Sequence, residues 1–464
     1  MPTLNDKKRF HFPSSILMLF IIIAIVCVLT CVIPAGQYSY TEHNGMKLIQ
    51  GDSFRYVDRH PVNPFRLFVA IQEGFIDGAQ IIFLILFGYF WVYCVMQTGA
   101  FQAMLNSILN GRLKNSRFFI PVIMLVFALA GSTYGEMETV YGLLPVFAAL
   151  AIALGYDALV GMCMTGMAVA VGFASATTNP FTIGIAQSIG ELPLFSGLGL
   201  RWIVFAAFVS ISILFVMRYA SRIKKDPSKS LLYGLDFSAF TIERTPDAKL
   251  TGKHKVIMLS MVVTVAVIVF GTLKLDWYIN EMAAVFLISG IVVSLIGRAG
   301  PEEIVSRLLR SFSEMTTAMV VVGLSRAVLV IMKHGLIIDS VIHGMSSLMQ
   351  GLPDWGCAEM MLIVQNILNF FIPSGSGQAA AIMPIMIPLA DLSGLNRQIA
   401  VLAYQFGDGF SNLLWPTGPC AIMCGIAKIP LEKWYRFFLP IFGCMFALET
   451  FFIILATAIG YGPF

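Results

Sequence analysis

The sequence predicts an all-α polytopic membrane protein made of two inverted repeats, each with a re-entrant hairpin and a broken helix. Three observations predict it. The 464 residues are 58% hydrophobic and only 12% charged, against about 25% charged in soluble domains, and the mean hydropathy is +0.82. Apolar runs recur along the whole chain, many cut short by Gly, Pro, Ser or Asn. The second half repeats the punctuation of the first. This composition excludes a disordered chain, a disulfide-stapled secreted domain and a nucleic-acid binder. A net charge of +4 is too small for a phosphate-binding footprint and reads as positive charge placed on one side of a membrane. Nearly all of the eight Cys sit in apolar runs and no CxxC occurs, so neither a disulfide nor a metal site is expected.

A helix rises about 1.5 Å per residue, so about 20 apolar residues cross the roughly 30 Å hydrocarbon layer. The first such run is 15–33, just after Lys7, Lys8 and Arg9. It is longer than a signal-peptide core, so it is expected to remain as a helix. Further spans fall at 81–95, 118–130, 146–154, 158–171 and 202–217. The polar stretch 221–254, containing KKDPSKS, reads as a linker. Beyond it lie 256–273, 282–296, 315–332, 360–372, 379–389, 399–406 and 437–459. Several of these are too short to cross alone. An unpaired backbone group in hydrocarbon costs several kcal/mol, so broken helices persist only inside protein or beside a water-filled cavity. The breaks therefore predict a binding cavity. Basic residues cluster at Lys7–Arg9, at Arg112, Lys114 and Arg117, through 218–255, at Arg298, Arg307 and Arg310, and at Lys428, Lys433 and Arg436. These clusters, and the N-terminus, are expected in the cytoplasm.

The repeat shows at three places in one order. GSTYGEMETVYGLLPVFAALAIALGYDALV from Gly131 matches FIPSGSGQAAAIMPIMIPLADLSGLNRQIA from Phe371, pairing Pro145 with Pro384, Gly155 with Gly394 and Asp157 with Asn396. GFASATTNP (172–180) matches DGFSNLLWP (408–416), and MQTGAFQAMLNSIL from Met96 matches MKHGLIIDSVIHGM from Met332. The charge pattern orients the halves oppositely, and inverted repeats with broken helices meeting near the midplane mark secondary transporters. The expected organisation is a first repeat at 1–220 (scaffold helices 14–117, hairpin part 118–217), a cytoplasmic linker at 221–254, and a second repeat at 255–464 (scaffold helices 255–350, hairpin part 351–464).

Two hairpin tips and two helix breaks should converge, and the candidate substrate- and ion-binding residues lie there. Glu136 and Glu138, with Thr139, sit on the first tip, where an acidic side chain at mid-bilayer costs roughly 2.5–3.5 kcal/mol on insertion scales and faces the interior. Asp408 lies in the second break between two Gly that let backbone approach a ligand. Ser175, Thr177, Thr178 and Asn179 in one break, Ser411, Asn412 and Thr417 in the other, and Ser374, Ser376 and Gln378 on the second tip supply short polar groups, about half of them serving only the backbone of the breaks. The N–H groups of 374–378 suit a substrate carboxylate. Acidic groups from both halves make a negative pocket, hospitable to a guanidinium or ammonium and hostile to a dianion. Arg326 is expected in a structural ion pair away from the hairpins. Trp415 and Tyr134 could stack on a guanidinium, though packing is their commoner use.

The segments FIPSGSGQAAAIMPIMIPLADL, LAYQFGDGFSNLLWPT, KIPLEKWYRFFLP, GEMET and GFASATTNPFTIGIAQ resemble the YfcC-type family of the anaerobic dicarboxylate-carrier group, over essentially the whole chain. The resemblance implies membership of the ion-transporter superfamily, with paired hairpins, a homodimeric scaffold and an elevator-like motion of the hairpin domains in a bacterial inner membrane. It also implies an amino-acid carrier, arginine–ornithine exchangers being among such proteins. Dicarboxylate carriers of that superfamily carry Ser-Asn-Thr motifs at the tips; here the tips read STYGEMET and SGSGQ, which argues against a dicarboxylate.

An intramembrane enzyme is the first competing class. None of His11, His43, His60, His254, His334 and His343 falls mid-span, so SGSG lacks a base for a Ser nucleophile. Neither HExxH nor GxxxxGK[ST] occurs. A channel is the second, and the paired hairpins argue for alternating access instead. The expectation is a secondary transporter of basic amino acids, with no cofactor beyond a coupling ion, Na⁺ or H⁺, left open. The rival is an ion-coupled di- or monocarboxylate carrier.

Overall fold

The computed structural model describes residues 15–43, 46–100, 103, 118–133, 135, 137–240, 251–275, 277–349 and 351–462. The chain is an all-α polytopic membrane protein. In the first half the helices are α1 (Ser15–Val32), α2 (Pro64–Asp77), α3 (Ala79–Gln97), α4 (Phe119–Thr133), α5 (Leu144–Ala153), α6 (Ala158–Ala174), α7 (Ile185–Ile189) and α8 (Leu198–Lys225). In the second they are α9 (Gly252–Lys274), α10 (Ile279–Ile296), α11 (Pro301–His334), α12 (Ile338–Ser347), α13 (Asp354–Phe371), α14 (Gly375–Leu392), α15 (Arg397–Ser411), α16 (Pro419–Ile426) and α17 (Leu431–Ala458). Among the described residues, α3, α8, α10, α11 and α17 are long and apolar enough to cross a membrane unaided. Their outer faces carry exposed Trp202, Ile203, Leu214, Ile288, Leu439, Phe451 and Ile454, an apolar surface suited to lipid.

Helix lengths repeat across the halves. The α8 and α17 helices are each 28 residues long. The 14-residue α2 and 19-residue α3, joined through Gly78, answer to the single 34-residue α11. Packing repeats as well. The two interrupted helices α6 and α15 lie against each other; α4 packs on α6 as α13 packs on α15, and α8 and α17 back these pairs. Lipid tails are as apolar as Leu side chains, so close backbone approach, not hydrophobicity, holds such helices together. A Cβ added to Gly172 would meet the backbone of Ala128 on α4, and one added to Gly407 would meet Gln365 and the backbone of Leu362 and Asn366 on α13. These are equivalent crossings in the two halves. A second group packs around α11, which touches α1, α2, α3 and α16, while α3 packs on α10.

Three features depart from the sequence expectations. The α2 helix was not anticipated, because Arg66, Gln72, Glu73 and Asp77 interrupt its apolar pattern; Asn63 caps it, its Oδ1 accepting the Arg66 N–H at 2.8 Å. The span expected at 315–332 begins at Pro301, its polar first turns being continuous helix. Between α1 and α2 lie two antiparallel strand pairs, β1 (Gly36–Gln37) with β4 (Arg55–Tyr56) and β2 (Tyr40–His43) with β3 (Met46–Ile49). They are tied to the end of α11 by Gly36 N–H donating to Leu336 O at 2.9 Å and to α12 by Tyr38 N–H donating to Asp339 Oδ2 at 2.9 Å, and β3 rests on α14.

Candidate functional site

Each half contributes a turn between two helices, α4 and α5 in the first and α13 and α14 in the second, called its tip below, and a helix break, and a polar side chain on the helix before the tip fastens each break. In the first half, Ser132 at the end of α4 hydrogen-bonds to Ser175 O at 3.1 Å and to Thr177 Oγ1 at 3.0 Å, and it accepts the Thr177 N–H at 3.1 Å. In the second, Asn369 near the end of α13 lies within bonding distance of Asp408 O (2.9 Å), Ser411 Oγ (2.6 Å) and Asn412 Oδ1 (3.1 Å). The two breaks open alike: Ser175 Oγ donates to Val171 O at 2.7 Å, and Ser411 Oγ to Gly407 O at 2.5 Å, each one turn back. This is the local chemistry by which Ser bends or ends a helix. Past the first break, Asn179 Oδ1 accepts the Phe181 N–H at 2.9 Å.

Both tips and both breaks line one small cavity of about 60 Å³, bounded by Gly135, Met137, Glu138, Phe173, Phe181, Thr182, Pro373–Ser376, Asn412 and Pro419, with Tyr278 of α10 at its edge. That volume holds a couple of waters. Glu138 opens the short 3₁₀ turn Glu138–Gly142 and faces this cavity. Asp408, in the last turn of α15, is fully buried and lies just behind the cavity wall: a Cβ on Gly375 would sit 3.0 Å from its Oδ2 and 2.7 Å from Thr182 Cγ2. Neither Asp408 carboxylate oxygen meets a hydrogen-bond partner among the described residues. Its neighbour Asn412 donates instead to the main-chain oxygen of Asp408, at 2.7 Å. The Asn179 amide nitrogen and the Thr182 hydroxyl are likewise buried and unpartnered. Glu138 and Asp408 interact electrostatically, so one from each half shapes a common field.

Across the second tip lies a larger vestibule of about 700 Å³, lined by Tyr38, Asp77, Arg326, Lys333, Asp339 and, from the tip, Ile372, Ser374 and Gly377. Ser374 borders both spaces. The segment 372–377 is thus a single layer of chain between vestibule and inner cavity. Arg326 pairs with Asp77 at 3.6 Å, an ion pair between α11 and α2. Contrary to expectation, it is not remote from the tips: it lines the vestibule and interacts electrostatically with Glu138. Asp339 is held by the Tyr38 N–H and by the Tyr40 hydroxyl at 2.9 Å, yet burial still pushes its carboxyl above the ordinary range.

The sequence model of a family described as C4-dicarboxylate anaerobic carrier, DcuC, matches residues 12–458. The chain belongs to the DcuC family. It is a membrane transporter of the YfcC type within that family. YfcC of Escherichia coli (strain K12), whose name gives it provisionally as a basic amino acid antiporter, is 28% identical over 98% of each chain. An uncharacterised protein of Haemophilus influenzae is 26% identical over 99% of each chain. Among solved structures, the YdaH transporter of Alcanivorax borkumensis matches at 16% identity and TM-score 0.42, over 97% of this chain and all of that one. MtrF of Neisseria gonorrhoeae, from a class of antimetabolite efflux pumps, matches at 16% and 0.43, over 98% and 97%.

The residues singled out from the sequence of this DcuC-family chain fall in several places. Glu138, Ser374, Ser376 and Asn412 line the inner cavity. Ser175, Thr177, Ser411 and Thr417 serve backbone, Thr417 Oγ1 donating to Phe370 O at 2.7 Å, and Thr178 Oγ1 donates to Thr133 O at 3.4 Å. Gln378 donates to Gln365 O at 3.0 Å while its own Oε1 is buried and unpartnered. Trp415 packs edge-on against Phe370 and donates to Asn366 O at 2.5 Å. Glu136 and Tyr134, and the side chain of Thr139, lie outside the described residues. The sequence reading did not single out Ser132, Asn369 or Thr182.

Proposed function

We propose that this chain is a secondary active transporter of a bacterial inner membrane that exchanges or takes up basic amino acids, arginine and ornithine foremost, by alternating access at the inner cavity. One observation carries the reading. Glu138 and Asp408, from opposite halves, interact electrostatically where two interrupted helices converge, and the buried Asp408 oxygens have no hydrogen-bond partner among the described residues. A guanidinium or ammonium supplies the missing partner; a dianion adds repulsion. The N-terminal end of α14, with its partial positive charge, suits the substrate α-carboxylate. The relative's name points the same way.

In this reading 118–217 and 351–464 form a moving part and 14–117 with 255–350 a scaffold through which two copies dimerise, the N-terminus lying in the cytoplasm. The inner cavity is smaller than an amino acid, so the 372–377 layer must shift to admit one. Glu136 and Thr139 belong to the same proposed site. The test is radiolabelled arginine uptake and counterflow in proteoliposomes. Ornithine and lysine should compete and succinate should not. Competition by succinate with no response to arginine would assign the chain to a carboxylate instead, and an absence of exchange acceleration would make it a channel.

A further inference from the structure

A second pair of acidic side chains lies inside the helical body, away from the tips and breaks. Glu449, deep in the apolar α17, is fully buried, and neither of its carboxylate oxygens meets a hydrogen-bond partner among the described residues. Glu359, on α13 where it packs against α17, is half-buried; its Oε1 accepts the Thr450 hydroxyl at 2.6 Å, and its Oε2 is buried without a partner. The two carboxyl groups interact electrostatically. Neither lines the inner cavity or the vestibule.

No cation answers them among the described residues. Of the helices packed on α17, α15 carries Arg397, tied to Asp391 and Glu191 at its exposed end, and Asp408 beside the second tip. The α8 helix carries Arg201 in its first turn, where Nε donates to Ser196 O at 3.4 Å and the guanidinium interacts with Tyr461 past the end of α17, and Arg218, Arg222, Lys224 and Lys225 toward its other end. The α13 helix adds only Asp354, at its exposed start, and α16 carries no charge. The basic residues of α17 itself, Lys433 and Arg436, lie in its first two turns, about 20 Å along the helix from Glu449. An unpaired carboxylate in this setting costs several kcal/mol, and two neighbouring ones add repulsion. A metal ion of the hard class takes about six oxygens, more than the three unpartnered ones present here. A single proton needs no more than these two groups. Glu359 is also only half-buried and lies five residues, about 7.5 Å along the helix, from the exposed start of α13 at Asp354.

We infer that Glu359 and Glu449 form a proton-binding site, separate from the substrate cavity, that takes up and releases one proton in each cycle and links transport to H⁺. The linkage rests on the transport reading; the proton site does not. Infrared difference spectra of the full chain in lipid should show a protonated-carboxyl band, shifted in D₂O, that is lost in Glu449→Gln and perturbed in Glu359→Gln. An imposed pH gradient should accelerate arginine uptake by the wild type and not by Glu449→Gln, which keeps arginine–arginine exchange at the wild-type rate. A band unchanged in both variants, or gradient-driven uptake unchanged in both, overturns the proposal. Should Glu449→Gln fail to assemble, the half-buried Glu359→Gln carries both measurements. Should arginine not be a substrate, the spectra still decide.

Discussion

At Asp408 both carboxylate oxygens are buried behind Gly375 with no hydrogen-bond partner among the described residues, so a charge there is costly until a cation arrives. Asp408→Asn removes that charge at nearly constant volume. It should abolish arginine transport while leaving the thermal midpoint of the purified protein unchanged or higher; normal uptake would remove Asp408 from the site. The Asn369 side chain reaches three acceptors of the second break where Ser132 serves the first. Asn369→Ala leaves buried acceptors unpaired and should cost about 1–3 kcal/mol, with a smaller loss for Ser132→Ala, both read by thermal melting. The burial of Asp408 and the place of Glu138 on an inner cavity were legible in the sequence because a carboxylate in an apolar run is expensive and so informative. Ser132 and Asn369 were not, since a small polar residue near the end of an apolar run is unremarkable until its partners, some forty positions away, are brought to it. Glu449 obeys the same rule as Asp408, being the one charged residue between Arg436 and the end of α17, so the signal was present.

The elements that sequence placed best are those whose apolar run is unbroken, such as α8, α10 and α17. It misplaced those carrying polar residues inside the fold: α2, with its Glu73 and Asp77 facing His334 and Arg326, and the first turns of α11. The breaks were legible as Gly, Pro and Ser clusters, but what lets the arms cross them is the bare backbone at Gly172 and Gly407. Gly172→Leu and Gly407→Leu should each prevent a stable protein from accumulating in the membrane, because the added side chain meets neighbouring backbone, which cannot rotate away. Immunoblots of membrane fractions against Gly199→Leu, where a Cβ meets nothing, would measure this. The strand pairs between α1 and α2 left no periodic signal because each strand is so short. Their anchor, Asp339, has its carboxyl raised by burial, so the folded state holds its proton more tightly than the unfolded chain. Docking of the strands should therefore be firmest at low pH and weaken as pH rises from the ordinary carboxylate range through the raised value. Protease cleavage within 36–56 should increase over that interval in the wild type and lose its pH dependence in Asp339→Asn.

For the whole molecule, the repeat read from three short matches recurs in helix lengths, in arm-on-break crossings and in the Ser hydrogen bonds that open each break, none of which the matches alone could specify. The proposed sliding of one part against the other makes a demand on contacts between them. Lys428, between α16 and α17, reaches Glu314 of α11 at 4.0 Å, and Glu314 also accepts the hydroxyl of Tyr89 on α3. If 351–464 travels relative to α11, this contact must part in every cycle. A Glu314→Cys, Lys428→Cys double variant, with the exposed Cys31 and Cys444 replaced, places two thiols where a short reducible bifunctional reagent can span them. Crosslinking should lower arginine counterflow to the background of empty vesicles, and reduction should restore it, while either single variant treated alike stays active. Full counterflow by protein shown on gels to be crosslinked would mean that the two parts do not slide. Transport would then proceed by local movement of the 372–377 layer between vestibule and inner cavity.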